Sequence, residues 1–450
     1  MKTTILGNGT VVSRAEENRF LKDGAVVYSE KEILDVGKTG EMKRRYPDSE
    51  YIDAKGGYIM PAFINPHEHC YSAMSRGILM KKYAPRYFME NLEQKWWNLD
   101  RNLTEKQIRL GAQVFFIDAA KNGVATEFEH HVSYGCITGS LSLIADAARE
   151  VGIRICPCFE VSDRWGEECA REAVAENERW RREAKRSGSD MVSSTLGLHA
   201  SFTLSDRTME YIREHYPVEE GCHIHIAECA EDEEDCRAKY GMSIVERLKK
   251  WGMLGPKTII AHGVHLSDEE MELIREANAM VVTNPESNMN NAVGCPPALK
   301  LVEKGIVTGL GMDGFSHDMF LSWRMAGALF RHDSRDINAA WAELPKMIFE
   351  GNSEIGRRYF RKIPGRIEKK AAPDLIVAEY DSPTPVTEEN IDSHMMFGMN
   401  GSNVRLTVCG GRVIAKDGRV TGADEEKILY ESRKEAEKLW GFFADALEES

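Results

Sequence analysis

Two histidines separated by one residue follow an apolar run near the start of the chain. Residues 58–65 are Tyr-Ile-Met-Pro-Ala-Phe-Ile-Asn, and the sequence continues Pro66-His67-Glu68-His69. Side chains alternate between the two faces of a strand, so His67 and His69 point to one side and Glu68 to the other. Two imidazoles in this arrangement can share one divalent metal ion. A His-x-His pair is a weak signal by itself, and two polar loop residues explain it equally well.

Four further apolar runs end in residues that can bind metal or transfer protons. The segment 222–228, Cys-His-Ile-His-Ile-Ala-Glu, supplies imidazoles and the carboxylate of Glu228. Alternation places His223 and His225 on the same side, so this segment alone does not decide which of them is a ligand. The other three run ends carry His199, His262 followed by His265, and Asp313. A lone aspartate such as Asp313 is more commonly a turn or cap residue, but the joint occurrence in this order favours one metal site.

Eight short apolar runs alternate with longer segments of helical periodicity. The runs are 58–65, 123–128, 152–159, 193–198, 221–227, 257–261, 279–283 and 306–311. Thr104, Ser205 and Ser267 are predicted to cap three of the intervening helices. Strands alternating with helices in this number predict an α/β fold, a TIM-like (β/α)₈ barrel. Active-site residues of such barrels lie at the downstream ends of the strands, where the residues above fall.

Short β runs flank the predicted barrel at both ends of the chain. Residues 1–57 contain Val, Ile and Tyr runs broken by Gly and Asp turns, and β runs return after about residue 365. An amphipathic helix is predicted from about residue 424 to 448. The predicted domains are therefore a hydrolase barrel over 58–365 and a small composite β-sandwich formed by 1–57 and 366–450, which includes the C-terminal helix.

The composition of the 450 residues is that of a globular protein, with 42% hydrophobic and 29% charged residues. No apolar run approaches the roughly 20 residues that a membrane span needs. Glycines interrupt the N-terminus before a signal peptide could form. The net charge of −14 argues against a nucleic-acid partner. Ten scattered cysteines without paired Cys-x-x-Cys spacing predict buried reduced thiols, no cysteine zinc site and a cytoplasmic protein.

The joint pattern resembles the aminohydrolase and chlorohydrolase branch of the amidohydrolase superfamily, from end to end of the chain. Within that branch, the sequence is most similar to aminohydrolases associated with selenium metabolism. The matching segments are 61–69, 197–203, 223–228, 261–266, 284–288 and 311–314. The resemblance implies that His67, His69, His225 and Asp313 bind the metal and that Asp313 also orients the nucleophile.

The resemblance also implies roles for residues around the metal. Glu228 matches the proton shuttle, which accepts a proton from water and passes it to the leaving amine. His262 matches a catalytic histidine that faces the attacking water and the reacting carbon, where it can stabilise developing negative charge. His199 matches a histidine that contacts substrate.

Three residues are weaker candidates for substrate binding. Glu90 lies where related deaminases place a substrate-contacting glutamate, although a solvated helix residue is the simpler interpretation. His130 follows the second strand, and a satisfied loop histidine is an equally good interpretation. Arg164, after the third strand, can hold a polar substrate, but a surface ion pair with a neighbouring carboxylate is the simpler hypothesis.

The resemblance also bears on the number of metal ions and on the reaction. Two-metal members of the superfamily bridge their ions with a carboxylated lysine on the fourth strand, and residues 193–199 contain no lysine. One divalent ion is therefore predicted, zinc first, with Fe²⁺ or Mn²⁺ as alternatives. Such an ion lowers the pKa of bound water to about 7 and so supplies hydroxide near neutrality.

The predicted function is hydrolytic deamination of an amino-substituted nitrogen heterocycle, purine-like or pyrimidine-like. The same hydroxide can hydrolyse a cyclic amide or displace chloride, because the ligand set dictates the nucleophile and not the leaving group. A catalytically silent barrel that acts as a binding protein is the third hypothesis. The expected partners are a small-molecule substrate and, as in related enzymes, a second copy of the chain in a homodimer.

Overall fold

The computed structural model describes residues 2–16, 19–81, 83–362 and 364–445. Strands and helices are numbered separately in chain order. The strands are β1 Thr4–Val11, β2 Leu21–Tyr28, β3 Ile33–Lys38, β4 Glu50–Asp53, β5 Tyr58–Pro61, β6 Phe63–Glu68, β7 Val124–His131, β8 Arg154–Ile155, β9 Cys158–Val161, β10 Leu196–Leu198, β11 Cys222–Ile226, β12 Ile259–His262, β13 Met280–Thr283, β14 Val307–Leu310, β15 Leu375–Ala378, β16 Val404–Cys409, β17 Arg412–Lys416 and β18 Arg419–Val420.

The α-helices lie mainly between the strands of the central region. They are α1 Thr39–Arg45, α2 Phe88–Asn91, α3 Trp97–Asn102, α4 Glu105–Lys121, α5 Ser140–Val151, α6 Glu167–Ser187, α7 Asp206–His215, α8 Ala230–Tyr240, α9 Ile244–Lys250, α10 Asp268–Glu276, α11 Pro285–Asn290, α12 Ala298–Glu303, α13 Met319–Ser334, α14 Glu343–Pro345, α15 Asn352–Tyr359, α16 Ile391–Gly398 and α17 Glu425–Asp445. Shorter 3₁₀ or π-helical turns are Cys70–Ser75, Leu92–Trp96, Ser201–Thr203, Val218–Glu220, Lys346–Gly351 and Gly401–Asn403. Residues 446–448 of the predicted C-terminal helix lie outside the described residues.

The barrel sheet has the strand order β6-β7-β9-β10-β11-β12-β13-β14, with β8 beside β7, and its pairs are parallel. Helices cover its outer face, as the alternating pattern predicts. Side chains of Thr104, Ser205 and Ser267 accept backbone N–H bonds at the starts of α4, α7 and α10, so these predicted caps are confirmed. The expected barrel fold is confirmed.

The buried side chain of Asn352 bonds to both the first and the last barrel strand. Asn352, at the start of α15, accepts a hydrogen bond from Leu310 N at 2.9 Å. Its Nδ2 donates to Leu310 O at 2.9 Å and to Ile64 O at 2.8 Å. Gly309 has no side chain at this point, where a Cβ atom would lie 2.6 Å from the Asn352 Oδ1 atom. Asn352 therefore closes the barrel between β14 and β6.

Both chain ends contribute to a second sheet, which packs beside the barrel. Its order is β18-β17-β16-β15-β5-β1-β2-β3, with β4 beside β1. The run 58–65, predicted as one barrel strand, is split: β5 pairs with β1 and β15 in this sheet, and β6 enters the barrel. A composite sheet domain built from both ends is thus confirmed, while the domain limits at residues 57 and 365 stay predictions.

Two further expectations concern membranes and cysteines. Among the described residues, no helix combines the length and the hydrophobicity that a bilayer crossing requires. All ten cysteines are free thiols, and seven of them are buried. The prediction of buried reduced thiols is therefore correct for most of them.

Replacing Asn352 by alanine is expected to destabilise the barrel. Three buried backbone groups on β6 and β14 would lose this partner, at a cost of about 3 kcal/mol or more in the free energy of unfolding. Asn352→Asp should be no better, because the carboxylate would face two carbonyl oxygens. Urea unfolding measures the effect, with the exposed Asn338→Ala as the control. A loss below about 1 kcal/mol for Asn352→Ala would contradict the proposed closure.

Candidate active site

Three imidazoles meet at the downstream ends of β6 and β11. One ring nitrogen each from His67, His69 and His225 lies within 4.8 Å of the other two. His67 and His69 come from the end of the first barrel strand, and His225 lies within the fifth. The structure therefore brings together the three histidines that the resemblance implies as ligands.

Backbone carbonyls fix which ring nitrogens carry hydrogen. His69 Nδ1 lies 2.6 Å from the carbonyl oxygen of His130, and His225 Nδ1 lies 2.9 Å from that of His199. A carbonyl oxygen only accepts, so both Nδ1 atoms donate and a neutral ring keeps its lone pair on Nε2. Burial lowers the pKa of His225 well below its usual value, which keeps that ring neutral.

The resulting Nε2 atoms are suited to a cation. Those of His69 and His225 are 3.2 Å apart, with no hydrogen to place between two neutral rings. His67 Nε2 is buried and has no hydrogen-bond partner among the described residues, while its Nδ1 is 2.9 Å from His223 Nε2. Metal-binding histidines characteristically donate their other ring nitrogen to a carbonyl or carboxylate. The donor set therefore fits one divalent metal ion.

Asp313 lies on the opposite side of the same cluster. Its Oδ1 is 3.5 Å from His69 Nε2 and its Oδ2 is 3.8 Å from His262 Nε2. Burial by itself raises the pKa of the Asp313 carboxyl, but His69, His262 and hydrogen bonds from Ser287 and Gly314 together lower it by more, so the net pKa lies below the usual value. Asp313 N also donates to His67 O at 3.0 Å across the β6–β14 seam. The carboxylate is thus ionised and held at the cluster.

Glu228 lies beside the cluster, two residues beyond β11. Its Oε2 is 3.5 Å from His262 Nε2, and its Oε1 accepts a hydrogen bond from Asn291 Nδ2 at 3.3 Å. Burial, followed by the negative charge of Asp313, raises the pKa of Glu228 well above its usual value. A carboxyl group with a raised pKa can hold a proton near neutrality and release it.

His262 is oriented by an amide on the next strand-helix connection. Its Nδ1 lies 2.9 Å from Asn288 Oδ1, which only accepts, so Nδ1 donates and Nε2 faces Glu228 and Asp313. Burial lowers the pKa of this ring, although the charge of Asp313 acts in the opposite direction. His262 is therefore positioned to exchange a proton with either carboxylate.

Three residues at this end of the barrel have left-handed backbone angles that side chains other than glycine rarely adopt. Their φ values are 49° for Ala227, 71° for His262 and 56° for Asp313. Such conformations cost about 1–3 kcal/mol each and concentrate at functional sites. They turn the chain sharply where the strands end and direct the side chains of His262 and Asp313 to the cluster.

An aromatic cavity opens above the imidazoles. Arg164 lies within it and is buried, with its guanidinium paired to Asp100 Oδ2 at 3.1 Å and to Glu160. The surface ion pair predicted for Arg164 is therefore wrong. The cavity is lined by His69, Tyr71, Ser72, Phe88, Leu92, Trp96, Trp97, Asp100, Val132, Glu160, Arg164, His199, Ala200, Phe202, His225, Glu228, Cys229, Asp232, His262, Asn291, Asp313, Gly314 and Phe315.

The three candidates for substrate contact are placed differently. His199 lines the cavity, and its Nδ1 is 2.7 Å from Thr203 Oγ1. His130 is fully buried behind the imidazole cluster and does not line the cavity, because its Nε2 donates to backbone carbonyls of β10 and β11. Glu90 also lies outside the cavity lining, with its carboxylate bound by Arg86 four residues earlier. The structure thus brings only His199 of these three to the cavity.

A family model described as the amidohydrolase family matches residues 58–414. The chain belongs to this family. A 5'-deoxyadenosine deaminase of Methanococcus maripaludis is 30% identical over 412 residues, which cover 90% of this chain and 93% of the relative. A 5-methylthioadenosine/S-adenosylhomocysteine deaminase of Pelotomaculum thermopropionicum is 26% identical over 98% of this chain and 99% of the relative. A zinc-bound adenosine deaminase of Xanthomonas campestris matches with a TM-score of 0.85 at 20% identity, over 97% of this chain and 98% of the other.

Sequence reasoning about this amidohydrolase missed several residues that build the site. Asn288 and Asn291, which orient His262 and Glu228, lie on or next to α11, and only part of that region was noted as a matching segment. His223, which contacts His67 Nδ1, shares its strand face with His225. Polar residues three or four positions apart lie on the same face of a helix. That spacing could have pointed to Asn288 and Asn291, but only once the helix was known to lie opposite a strand end.

Zinc is expected to stabilise the metal-free amidohydrolase. A ligand present at 100 times its Kd raises the free energy of unfolding by about 2.7 kcal/mol. His225→Asn should lose most of the stabilisation that zinc provides at this site. The measurement is the thermal midpoint with and without zinc, and the exposed His215→Asn is the matched control. An equal zinc-induced shift in both variants would count against His225 as a ligand.

Proposed function

We propose that this amidohydrolase deaminates an amino-substituted nitrogen heterocycle with the help of one catalytic divalent metal ion. The observation that carries the proposal is the position of Glu228, which lies next to the imidazole cluster but outside it. Its carboxyl group contacts His262 and Asn291 and lines the cavity. A proton carrier in this place can serve both an attacking water and a leaving amine.

The residues that would hold the ion are His67, His69, His225 and Asp313. Three imidazoles and one carboxylate suit zinc, and the zinc bound to the Xanthomonas campestris deaminase supports this choice. When bound, the ion supplies a Lewis acid that makes water acidic enough to ionise near neutrality. The number of ions stays a prediction, supported by the absence of lysine from residues 193–199.

Glu228 performs the proton transfers in this proposal. It accepts a proton from the attacking water at Oε2 and then donates that proton to the ring substituent that departs as ammonia. Its raised pKa matches a group that must hold the proton between these two steps. Asn291 keeps the other carboxylate oxygen fixed, so that Oε2 stays directed to the reaction.

His262 and Asp313 act on the reacting atoms from the other side. With Nδ1 committed to Asn288, a proton on His262 Nε2 would point to the space between Glu228 and Asp313. From there it can stabilise negative charge that develops on the ring of the substrate. Asp313, ionised and fixed by the seam, can accept a hydrogen bond from the attacking water and so orient it.

The cavity favours a flat aromatic substrate. Indole and phenyl groups of Trp97, Trp96 and Phe88 line it, together with the ring of His199. Stacking on such rings suits a purine. The relatives named as deaminases of 5'-deoxyadenosine, 5-methylthioadenosine and S-adenosylhomocysteine support an adenine nucleoside as the first substrate class to test. A homodimer and a cytoplasmic location remain predictions of the sequence.

Replacing Glu228 by glutamine is expected to abolish turnover without loss of metal. Removing a general acid-base group lowers kcat by about 10²–10⁴-fold. Release of ammonia from a panel of adenine nucleosides and other amino-heterocycles measures the effect, with metal content determined on the same samples. Glu231→Gln, an exposed residue at the start of α8, is the matched control and should retain full activity.

The same panel distinguishes the alternatives. Ring opening without ammonia would indicate cyclic amide hydrolysis, and halide release without ammonia would indicate dechlorination. If the metal-loaded protein releases no product from any member, or if Glu228→Gln keeps its activity, the proposed proton carrier is wrong. A protein that retains less than a few tenths of an equivalent of metal would favour a silent binding barrel.

A further inference from the structure

A second group of donor atoms lies behind the catalytic histidines, between the barrel and its helices. The Cys70 sulfur, a Glu129 carboxylate oxygen and a His131 ring nitrogen lie within 4.8 Å of one another. All three residues are fully buried, and none lines the cavity. Glu68, equally buried, is the register partner of Glu129 across β6 and β7. We call Glu68, Cys70, Glu129 and His131 the rear cluster.

The rear cluster lies among three buried carboxyl groups. Glu127 is a third glutamate near Glu68 and Glu129, and it is also fully buried. The described residues contain no lysine or arginine paired with any of these three glutamates. Buried carboxylates are costly unless they are neutralised, paired or bound to metal.

The hydrogen bonds of His131 leave a lone pair directed into the cluster. Ser133 Oγ donates its single hydrogen to Cys136 O at 2.7 Å, so it can only accept from His131 Nε2 at 2.8 Å. A neutral His131 therefore carries its hydrogen on Nε2 and a lone pair on Nδ1. That Nδ1 lies 3.4 Å from Glu129 Oε1, which is also an acceptor, so a neutral His131 cannot donate to it.

The carboxylates of the cluster are also arranged as ligands. Glu129 accepts hydrogen bonds from Cys70 N at 2.7 Å and from Cys70 Sγ at 3.0 Å, which fixes its orientation. Both carboxylate oxygens of Glu68 are buried, and its carboxyl group lies beside that of Glu129. The Glu68 carboxyl group and the imidazole of His131 thus both lie against Glu129, whose carboxylate also contacts the Cys70 thiol.

We propose that the rear cluster binds a second divalent cation, separate from the catalytic one, with Cys70, Glu129, His131 and Glu68 as its ligands. One sulfur, one nitrogen and two carboxylate oxygens form a four-coordinate donor set that zinc accepts. All four positions come from the protein, as in structural zinc sites. Binding displaces the protons of the Cys70 thiol and of the Glu68 carboxyl group, which pass to solvent, and the thiolate and the carboxylate each provide an electron pair to the metal.

Such an ion would connect the strand that carries the catalytic ligands to its neighbour. Glu68 lies between His67 and His69, and Glu129 and His131 flank His130, whose carbonyl orients His69. An ion in the rear cluster would thereby hold together the ends of β6 and β7. Paired Cys-x-x-Cys spacing does not occur here because the ligands come from two segments of the chain.

Metal content and a spectroscopic signature of the thiolate test the proposal without any assay of turnover. The full-length wild-type protein, expressed with zinc and kept reduced, should contain two equivalents of zinc. Protein produced with cobalt should show a near-ultraviolet sulfur-to-cobalt charge-transfer band, which the catalytic donor set cannot give because it contains no sulfur. Cys70→Ala should remove the band and one equivalent of metal, leaving the other equivalent bound.

Cys409→Ala is the matched control, since Cys409 is a buried thiol that donates to a carbonyl oxygen of Ala125 at 3.2 Å, away from the cluster. It should keep both the band and the second equivalent. If Cys70→Ala does not fold, Glu68→Gln and the wild-type spectrum decide the matter. A single equivalent, or two equivalents without the band, would overturn the proposal.

Discussion

The closure of the barrel between β6 and β14 is the constraint on which the site depends. The amide of Asn352 bonds to the backbone of both strands, and Asp313 N donates to His67 O at 3.0 Å just beyond them. These contacts place Asp313 beside imidazoles that come from the other end of the barrel sequence. Without the closure, the four candidate ligands would belong to separate parts of an open sheet, and no arrangement of side chains alone would bring them together.

Backbone carbonyl groups also determine which ring nitrogens of the site carry hydrogen. Carbonyl oxygens of His130 and His199 accept from Nδ1 of His69 and His225 and leave the two Nε2 atoms facing each other. The orientation is built into the folded chain, and a cation needs no rearrangement to use it. Backbone strain at His262 and Asp313 is part of this arrangement, and the surrounding packing of parallel strands offsets its cost.

Much of this arrangement could be predicted from the sequence, because its signals are local. Apolar runs marked the barrel strands, and polar residues at their ends marked the site. What could not be predicted depends on tertiary partners. Alternation alone leaves His223 and His225 equivalent, whereas in the folded chain His225 donates to His199 O and lines the cavity, and His223 contacts His67. Residues 58–65 divide between β5 and β6 because β5 pairs with β15, a strand that lies far along the chain.

Charged residues were hardest to place, since their environment is set by the folded core. Arg164 fits a surface ion pair by sequence, yet it is buried in the cavity between two carboxylates. The position of Glu90 suggests a cavity residue, but its carboxylate is paired with Arg86, four residues earlier.

The two glutamates next to candidate ligands, Glu68 and Glu228, illustrate how the fold assigns different chemistry to one residue type. Burial raises the pKa of both carboxyl groups. Glu228 borders the cavity, where its side chain is 12% exposed and can exchange a proton with substrate and solvent. Glu68 is sealed between strand and helix at 0% exposure, so it has no route for proton exchange with the cavity. A sealed carboxyl group is neutralised by a fixed proton or a fixed cation, whereas Glu228, at the edge of the cavity, is the glutamate suited to the proton transfers of the proposed reaction.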